Sequence, residues 1–278
     1  MTFKTVLVHC DAGKTTPKCL AVAAEVAQKF DARLVALHAR APFEMPTFYE
    51  ESFSMGPLVE AHEERVKADQ AVSRGYFDTA MKGKALTSEW RESDGRADDV
   101  LVVNARYADL VVVGQNSPDD PFTTPDNLPE AVAMAGGRPT LVVPHSGAGK
   151  PIGKNVMLCW NASRESARAA SDAMPFLKAA QKVIVLVVEP RTTDAGHGAE
   201  PGADVATWLA KQGVKVTVQR EIAPDADVGS VILSRAADHD VDLIVMGVYG
   251  HSRLREWAMG GASRAMLAAM TVPVLMSH

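Results

Sequence analysis

The sequence is poor in cysteine and in aromatic residues, and it has no excess of positive charge. Its 278 residues include three cysteines and 6% aromatic residues, and the formal net charge is -5. Cys10, Cys19 and Cys159 show no Cys-x-x-Cys spacing, which argues against a disulfide framework and a zinc cluster. The negative charge gives no general basic surface for nucleic acid or an anionic membrane. We expect reduced thiols, a cytoplasmic location and no nucleic-acid partner.

Long apolar runs and catalytic motifs are also missing. No run reaches the roughly 18 apolar residues of a membrane helix, and the N-terminal segment lacks the apolar core of a signal peptide. The sequence has no GxSxG, no HExxH and no histidine spacing for a metal held by protein ligands alone. GKTT at 13–16 resembles the end of a P-loop, but Val8 stands where that motif needs glycine. We expect no membrane contact, and at most a weak ATPase.

The chain contains an internal sequence repeat of two copies. Each copy starts with an apolar strand, a polar turn and an alanine-rich helix, and each ends on an apolar strand. The matching pairs are 5–30 with 155–180, 108–115 with 241–248, and 138–146 with 272–278. The Gly- and Pro-rich segment 145–154 between the copies is the expected linker. This repeat predicts two domains, over 1–147 and 151–278.

Nearly continuous apolar runs at 34–39, 109–114 and 183–190 indicate strands of a parallel sheet that is covered on both faces. Helical segments separate them. Alternating valines at 214, 216 and 218 indicate a strand nearer the sheet edge. The predicted fold class is α/β, with two tandem Rossmann-like or flavodoxin-like domains, each a mostly parallel five-stranded sheet flanked by helices.

Four glycines frame a short insert near the end of the chain, in GVYGHSRLREWAMGGAS at 247–263. Gly247 and Gly250 follow an apolar strand, and Gly260 and Gly261 precede an apolar helix. A strand, a glycine-rich loop and a helix N-terminus together form a common phosphate site in open α/β sheets. The loop is therefore a candidate anion site.

The glycine spacing, the CWNAS strand end, the duplication and the VPVL ending resemble the universal stress protein family in its tandem two-domain form. The resemblance implies an adenine nucleotide alpha hydrolase-like fold with strand order 3-2-1-4-5, and pairing of the two copies through their last strands. It also implies ATP as the ligand of members that carry the glycine pattern, with Mg²⁺ arriving only with ATP.

Carried over by position, Gly247, Gly250 and Gly260 take the glycine positions of the family, and Ser263 supplies a hydroxyl just beyond them. Gly261 stands where the family has Ser or Thr, which removes one hydroxyl donor to phosphate. We expect the loss of this hydroxyl at Gly261 to affect the affinity for ATP and not the geometry of the loop.

Two further positions follow from the resemblance. Asn161 stands where the family often has an Asp near the nucleotide, and it keeps hydrogen-bonding capacity without the charge. Val188 resembles the position whose backbone meets adenine. His251, Arg253 and Arg255 form a cationic cluster that could reach a triphosphate. The alternative is a solvated loop whose arginines pair with Glu256 or with a partner chain.

The first copy departs from the glycine pattern. Ser117 matches Gly250, and Asp126 and Asn127 replace the second glycine pair. Asp119 and Asp120 would repel phosphate, and Asp11 is expected as a turn or capping residue. We therefore expect nucleotide only in the second copy.

Three classes of function remain open at this stage. The first is a cytoplasmic stress protein that binds ATP in its C-terminal domain as a regulatory ligand, with slow or no hydrolysis. The second is a stress protein that binds no nucleotide and acts through dimerisation and protein partners. The third is an enzyme of a related fold, such as a nucleotidyl transferase or a flavoprotein subunit. The chain is expected to form an internal pseudo-dimer or a homodimer.

Overall fold

The computed structural model of the protein describes residues 2–44, 55–116, 120, 127–188, 200–222, 227–248 and 261–278. Strands and helices alternate along most of the chain. The strands are β1 Thr5–His9, β2 Arg33–Arg40, β3 Ser88–Asp94, β4 Leu110–Gly114, β5 Thr140–Val143, β6 Asn155–Cys159, β7 Lys182–Val188, β8 Val216–Glu221, β9 Leu243–Gly247 and β10 Val274–Ser277. The helices are α1 Thr16–Phe30, α2 Gly56–Met81, α3 Ala97–Ala105, α4 Leu128–Ala135, α5 Arg164–Asp172, α6 Met174–Ala179, α7 Ala203–Lys211, α8 Val228–Asp238 and α9 Gly261–Ala269.

All ten strands form one sheet in the order β3-β2-β1-β4-β5-β10-β9-β6-β7-β8. We call the part built on β1–β5 the first half and the part built on β6–β10 the second half. Each half has the order 3-2-1-4-5 with parallel pairing. The halves join where β5 and β10 pair antiparallel, with Leu141 opposite Leu275. The expected α/β class and the joining through the last strands are confirmed.

Helices cover both faces of the sheet, which explains why the central strands are apolar throughout. On β1, Val6 and Val8 belong to one core and Leu7 to the other. The first core includes side chains from α1, α5, α6 and α7, and the second includes side chains from α3, α4, α8 and α9. Successive side chains of a strand point to opposite faces, so a strand buried on both faces needs no polar positions.

The linker between the halves, at 145–154, packs against the first half. Ile152 is 2% exposed, and its backbone N–H donates to Glu25 Oε1 at 2.9 Å. Lys29 Nζ donates to the Ile152 carbonyl at 3.0 Å. Phe176 of α6 packs its ring 5.4 Å from Phe3 and 5.1 Å from Phe30 of the first half. Contacts with the first half therefore hold both the linker and α6.

The structure assigns the GKTT segment to an ordinary turn before a helix. Thr15 is the N-cap residue of α1, and Pro17 lies in its first turn, where a missing N–H costs nothing. Among the helices in the described ranges, none is both long enough and apolar enough to cross a membrane.

Candidate functional site

The second half brings several of the expected site residues to one edge of the sheet. β9, β6 and β7 are parallel neighbours, so their carboxyl ends lie side by side. Gly247 ends β9, Val188 ends β7, and Asn161 lies two residues beyond β6. The strand order reverses between β6 and β9, and ligands of open α/β sheets bind at such reversal points. The edge beside Asn161 and Gly247 is therefore the candidate site.

Asn161 organises the turn that leads into α5. Its side-chain Oδ1 accepts a hydrogen bond from the Ser163 backbone N–H at 3.1 Å. Ser163 caps α5, and its hydroxyl accepts from the Ser166 backbone N–H at 3.1 Å. The Asn161 side chain is exposed. The turn thus uses the side-chain oxygen of Asn161 at a position that solvent reaches.

Gly247 is required by close packing of the backbone. A Cβ at this position would lie 2.4 Å from the carbonyl carbon of Glu165 and 2.5 Å from the Ser166 nitrogen. Atoms that are not bonded to each other do not come this close, so any side chain would push β9 away from the first turn of α5. This requirement is independent of any ligand. It also places the end of β9 directly against the N-terminus of α5.

Arg164 is a residue near the site that the sequence did not single out. It is the first residue of α5, and its side chain is 81% exposed. Its guanidinium pairs with Glu165 at 3.0 Å. Burial raises the pKa of the Glu165 carboxyl, but its own backbone amide and Arg164 outweigh burial and leave that pKa lowered. The ion pair neutralises Glu165, so the carboxylate does not leave a net negative charge beside Gly247.

The glycine loop itself lies mostly outside the described residues. Gly250, His251, Arg253 and Gly260 fall in the segment 249–260, and the structure does not test their expected roles. Gly261 begins α9, and Ser263 lies in its first turn at 4% exposure. An α-helix therefore does start where the sequence predicts the end of the anion loop.

In the first half, a carboxylate of the same chain lies at the start of α1, the helix that corresponds to α5. The Lys14 backbone N–H, just before α1, donates to Asp120 Oδ2 at 2.6 Å, and Asp120 is 6% exposed. Asp11 Oδ1 accepts from the Gly13 N–H at 2.9 Å and from the Thr16 hydroxyl. Asp11 is thus the turn residue that the sequence predicts, and Asp120 is an internal anion at the start of α1.

The described residues at this edge of the first half enclose one small cavity. A cavity of about 20 Å³ is lined by residues that include His9, Asp11, Thr16 and Gln115. A single water needs a volume of about 10–15 Å³, and ligand pockets typically measure about 300–1,000 Å³. This cavity is too small for a nucleotide.

The two halves differ in charge at one matching position. With Gly114 matched to Gly247, both at a strand end, Asp120 corresponds to Arg253 in sequence. The helix starts at Leu128 and Gly261 fit the same offset. The match given above for the second glycine pair is therefore shifted by one residue, since Asn127 and Leu128 replace Gly260 and Gly261. The first half has a carboxylate where the second has a guanidinium.

The thiols and potential metal ligands show no arrangement for catalysis. All three cysteines are free, and burial raises the pKa of the Cys159 thiol to about 12. A neutral buried thiol is a poor nucleophile. In the parts of the chain that the structure describes, no group of three or more His, Cys, Asp or Glu residues could hold a metal ion.

Comparison with known proteins gives the class first. The universal stress protein family model matches residues 2–119 and 153–278, one segment in each half. The chain therefore belongs to the universal stress protein family, in a tandem arrangement of two copies. No curated protein matches it in sequence.

Solved structures show the same fold over nearly the whole chain. A universal stress protein from Archaeoglobus fulgidus is 14% identical with a TM-score of 0.70, covering 98% of this chain and 95% of that one. A Pseudomonas aeruginosa protein described as functionally unknown is 15% identical with a TM-score of 0.59, covering 99% and 92%. A putative universal stress protein from the same species is 15% identical with a TM-score of 0.56, covering 99% and 93%. At these identities the likeness concerns the fold alone.

Proposed function

We propose that this universal stress protein binds an adenine nucleotide, ATP, at the carboxyl edge of its second half and uses it as a regulatory ligand with slow or no hydrolysis. The observation that carries the proposal is the charge difference between the halves. In the first half, Asp120 supplies an anion to the backbone N–H at the start of α1. In the second half the matching residue is Arg253, so this position offers a cation to an anionic ligand instead of a carboxylate.

The surroundings of the second site support an anionic ligand. The N-termini of α5 and α9 carry backbone N–H groups and the positive end of the helix dipole. Arg164 is largely exposed at the first of these helix starts. His251 and Arg253 add cationic groups within the glycine loop. These groups together attract phosphate. In the first half, the carboxylate of Asp120 already lies at the start of α1.

Individual residues then take distinct roles in the proposed complex. The amides of Gly250, Gly260 and Gly261 and the hydroxyl of Ser263 would donate to the phosphates. Asn161 would donate from its side-chain amide, and the Val188 backbone would contact adenine. Mg²⁺ would enter bound to the triphosphate, because its preferred ligands include phosphate oxygens. We place the protein in the cytoplasm, where ATP is present and its three thiols stay reduced.

Titration calorimetry with ATP and Mg²⁺ tests the proposal. We expect about one ATP per chain. Arg253→Asp gives the second half the charge found in the first, and should weaken binding by roughly tenfold or more, since a hydrogen bond to a charged group contributes about 1.5–3 kcal/mol. Lys182→Asp is the matched control, because this exposed residue begins β7 at the opposite edge of the sheet. It should leave the affinity unchanged.

Two glycine variants extend the test. Gly261→Ser restores the family hydroxyl and should tighten binding, while Gly250→Glu places a side chain and a negative charge in the loop and should abolish it. If neither the wild-type protein nor Gly261→Ser binds ATP at millimolar concentration, the nucleotide proposal is wrong.

A second candidate is a stress protein that binds no nucleotide and acts through protein partners or a homodimer. The packing of Gly247 against α5 favours it, because this glycine is needed for the fold whatever the ligand. This candidate predicts that Gly250→Glu lowers the melting temperature, and that wild-type protein shows no affinity for ATP.

A further inference from the structure

The side chain of Gln115 bridges the two halves. Gln115 follows β4 in the first half and is 5% exposed. Its Nε2 donates to the carbonyl oxygens of Leu267 at 2.8 Å and of Ala268 at 3.3 Å, both near the end of α9 in the second half. Its Oε1 accepts from the His145 backbone N–H at 3.0 Å. The amide group is therefore held on both sides.

The acceptors of Gln115 are carbonyls that α9 cannot satisfy alone. The last four carbonyls of an α-helix have no partner within the helix, and Leu267 and Ala268 lie among them. The C-terminal end also carries the negative end of the helix dipole, which favours an N–H donor. Because Gln115 is buried, water does not compete for these bonds. The bonds anchor one end of α9 to the first half.

The N-terminal end of α9 is Gly261, the last glycine of the candidate phosphate loop. The helix has nine residues, so its two ends are about 13 Å apart at 1.5 Å per residue. A helix this short behaves as one rigid unit, and a displacement at Leu267 moves Ser263 with it. Anchoring its C-terminus therefore restricts where the amides and the hydroxyl of its first turn can lie.

The contact of Gln115 with α9 has no counterpart at the matching position of the second half. Val248 follows β9 as Gln115 follows β4, and it is a fully buried valine with no side-chain donor. It packs in the same core as Met266 and Met270. Among the described residues, the second half thus has no equivalent amide for the end of α4. The first half, through Gln115, thus supports α9 of the second half.

We infer that Gln115 is a positioning residue for the nucleotide site of the other half: its amide fixes the C-terminal end of α9 and so restrains the first turn of α9, with Gly261 and Ser263. This role rests on the proposed function for its effect on ATP, but the restraint on α9 is a property of the protein without ligand. The two can be measured separately.

Two variants of the full-length chain remove the donor in different ways. Gln115→Glu keeps the length and an acceptor for His145, but it replaces the amide donor with a carboxylate that repels the carbonyls. Gln115→Met keeps the length and removes both functions without adding charge. Gln28→Glu is the control, because Gln28 is exposed on α1 in the same half. Hydrogen exchange of the α9 amides and calorimetric titration with ATP and Mg²⁺ are measured for each.

We expect α9 amides to exchange roughly 3- to 10-fold faster in both Gln115 variants and the dissociation constant for ATP to rise by a similar factor, as for the loss of one buried hydrogen bond. Exchange in β6 and β7 should not change. Gln28→Glu should behave as wild type. Unchanged α9 exchange, or equal acceleration throughout the second half, would overturn the positioning role.

The outcomes separate this role from the proposed function. If wild-type protein binds no ATP, the nucleotide proposal fails, and the local exchange of α9 still decides whether Gln115 anchors the helix. If wild-type protein binds ATP and both Gln115 variants bind it equally well, the nucleotide proposal stands and the positioning role is wrong.

Discussion

The backbone N–H of Lys14 and the carboxylate of Asp120 meet at 2.6 Å, although 106 residues separate them in the chain. The bond joins the start of α1 to the segment after β4, and Asp120 is almost fully buried. A carboxylate in this position provides the negative charge that a helix N-terminus attracts. The first half therefore carries a buried carboxylate of its own at the start of α1.

Removing this carboxylate should destabilise the first half. We expect Asp120→Ala to lower the free energy of unfolding by about 1.5–3 kcal/mol, the range for a hydrogen bond to a charged group. Asp120→Asn keeps an acceptor and should cost less. Urea unfolding measures both. Equal stability of all three proteins would show that the bond contributes nothing.

Alanine at the two matching strand ends should have unequal effects. Gly247→Ala forces a Cβ onto the backbone of Glu165 and should destabilise the protein by about 3 kcal/mol or more. Gly114→Ala would bring a Cβ to 2.9 Å from Thr15 Cγ2, a side-chain atom that can rotate away, and should cost about 1–2 kcal/mol. Chemical denaturation of the two variants gives the comparison, and the reverse order would contradict the packing argument.

The pH dependence of stability should show the contribution of His9. Burial lowers the pKa of His9, Asp11 opposes this shift and His38 adds to it. The unfolded chain therefore takes up a proton near the usual pKa of 6.5 while the folded protein resists it, so stability is lost as the pH falls below about 6.5. The difference in unfolding free energy between pH 7.5 and pH 5.5 should be smaller in His9→Gln. His62→Gln, at a half-buried histidine on α2, is the control and should keep the wild-type difference.

The thiols should be unreactive in the folded protein. Burial raises the pKa of Cys159 to about 12 and that of Cys10 well above its usual value. A thiol reagent at pH 8 should therefore modify the native protein slowly, and should react with three thiols per chain after unfolding. Stability should also fall as the pH rises from about 9 towards 12, because only the unfolded chain then loses these protons. A dimer that dissociates when reductant is added would contradict the expectation of free thiols.

The sequence predicts the architecture better than the contacts that complete it. The runs at 34–39 and 109–114 correspond to β2 and β4, and the alternation at Val216 and Val218 falls on the edge strand β8. These patterns follow from burial, which acts on each strand locally. The strand order required the family resemblance, because spacing alone does not specify which strands are neighbours.

The contacts at the site depend on distant parts of the chain, and the sequence does not indicate them. Gln115 lies about 150 residues from the carbonyls that it contacts, and no motif marks it. Gly247 was expected for its approach to phosphate, whereas the structure gives it a packing reason as well. Arg164 was missed because a single arginine in the first turn of a helix has no distinctive pattern.

Joining β5 to β10 removes the strand edge at which each half would otherwise end. The two remaining edges of the sheet are β3 and β8, whose sequences are SEWRESD and VTVQRE. Charged side chains on an edge strand oppose pairing with the edge of another molecule, because the pairing would remove water from them. The sheet can therefore not extend from one molecule to the next into a fibril without burying these charges.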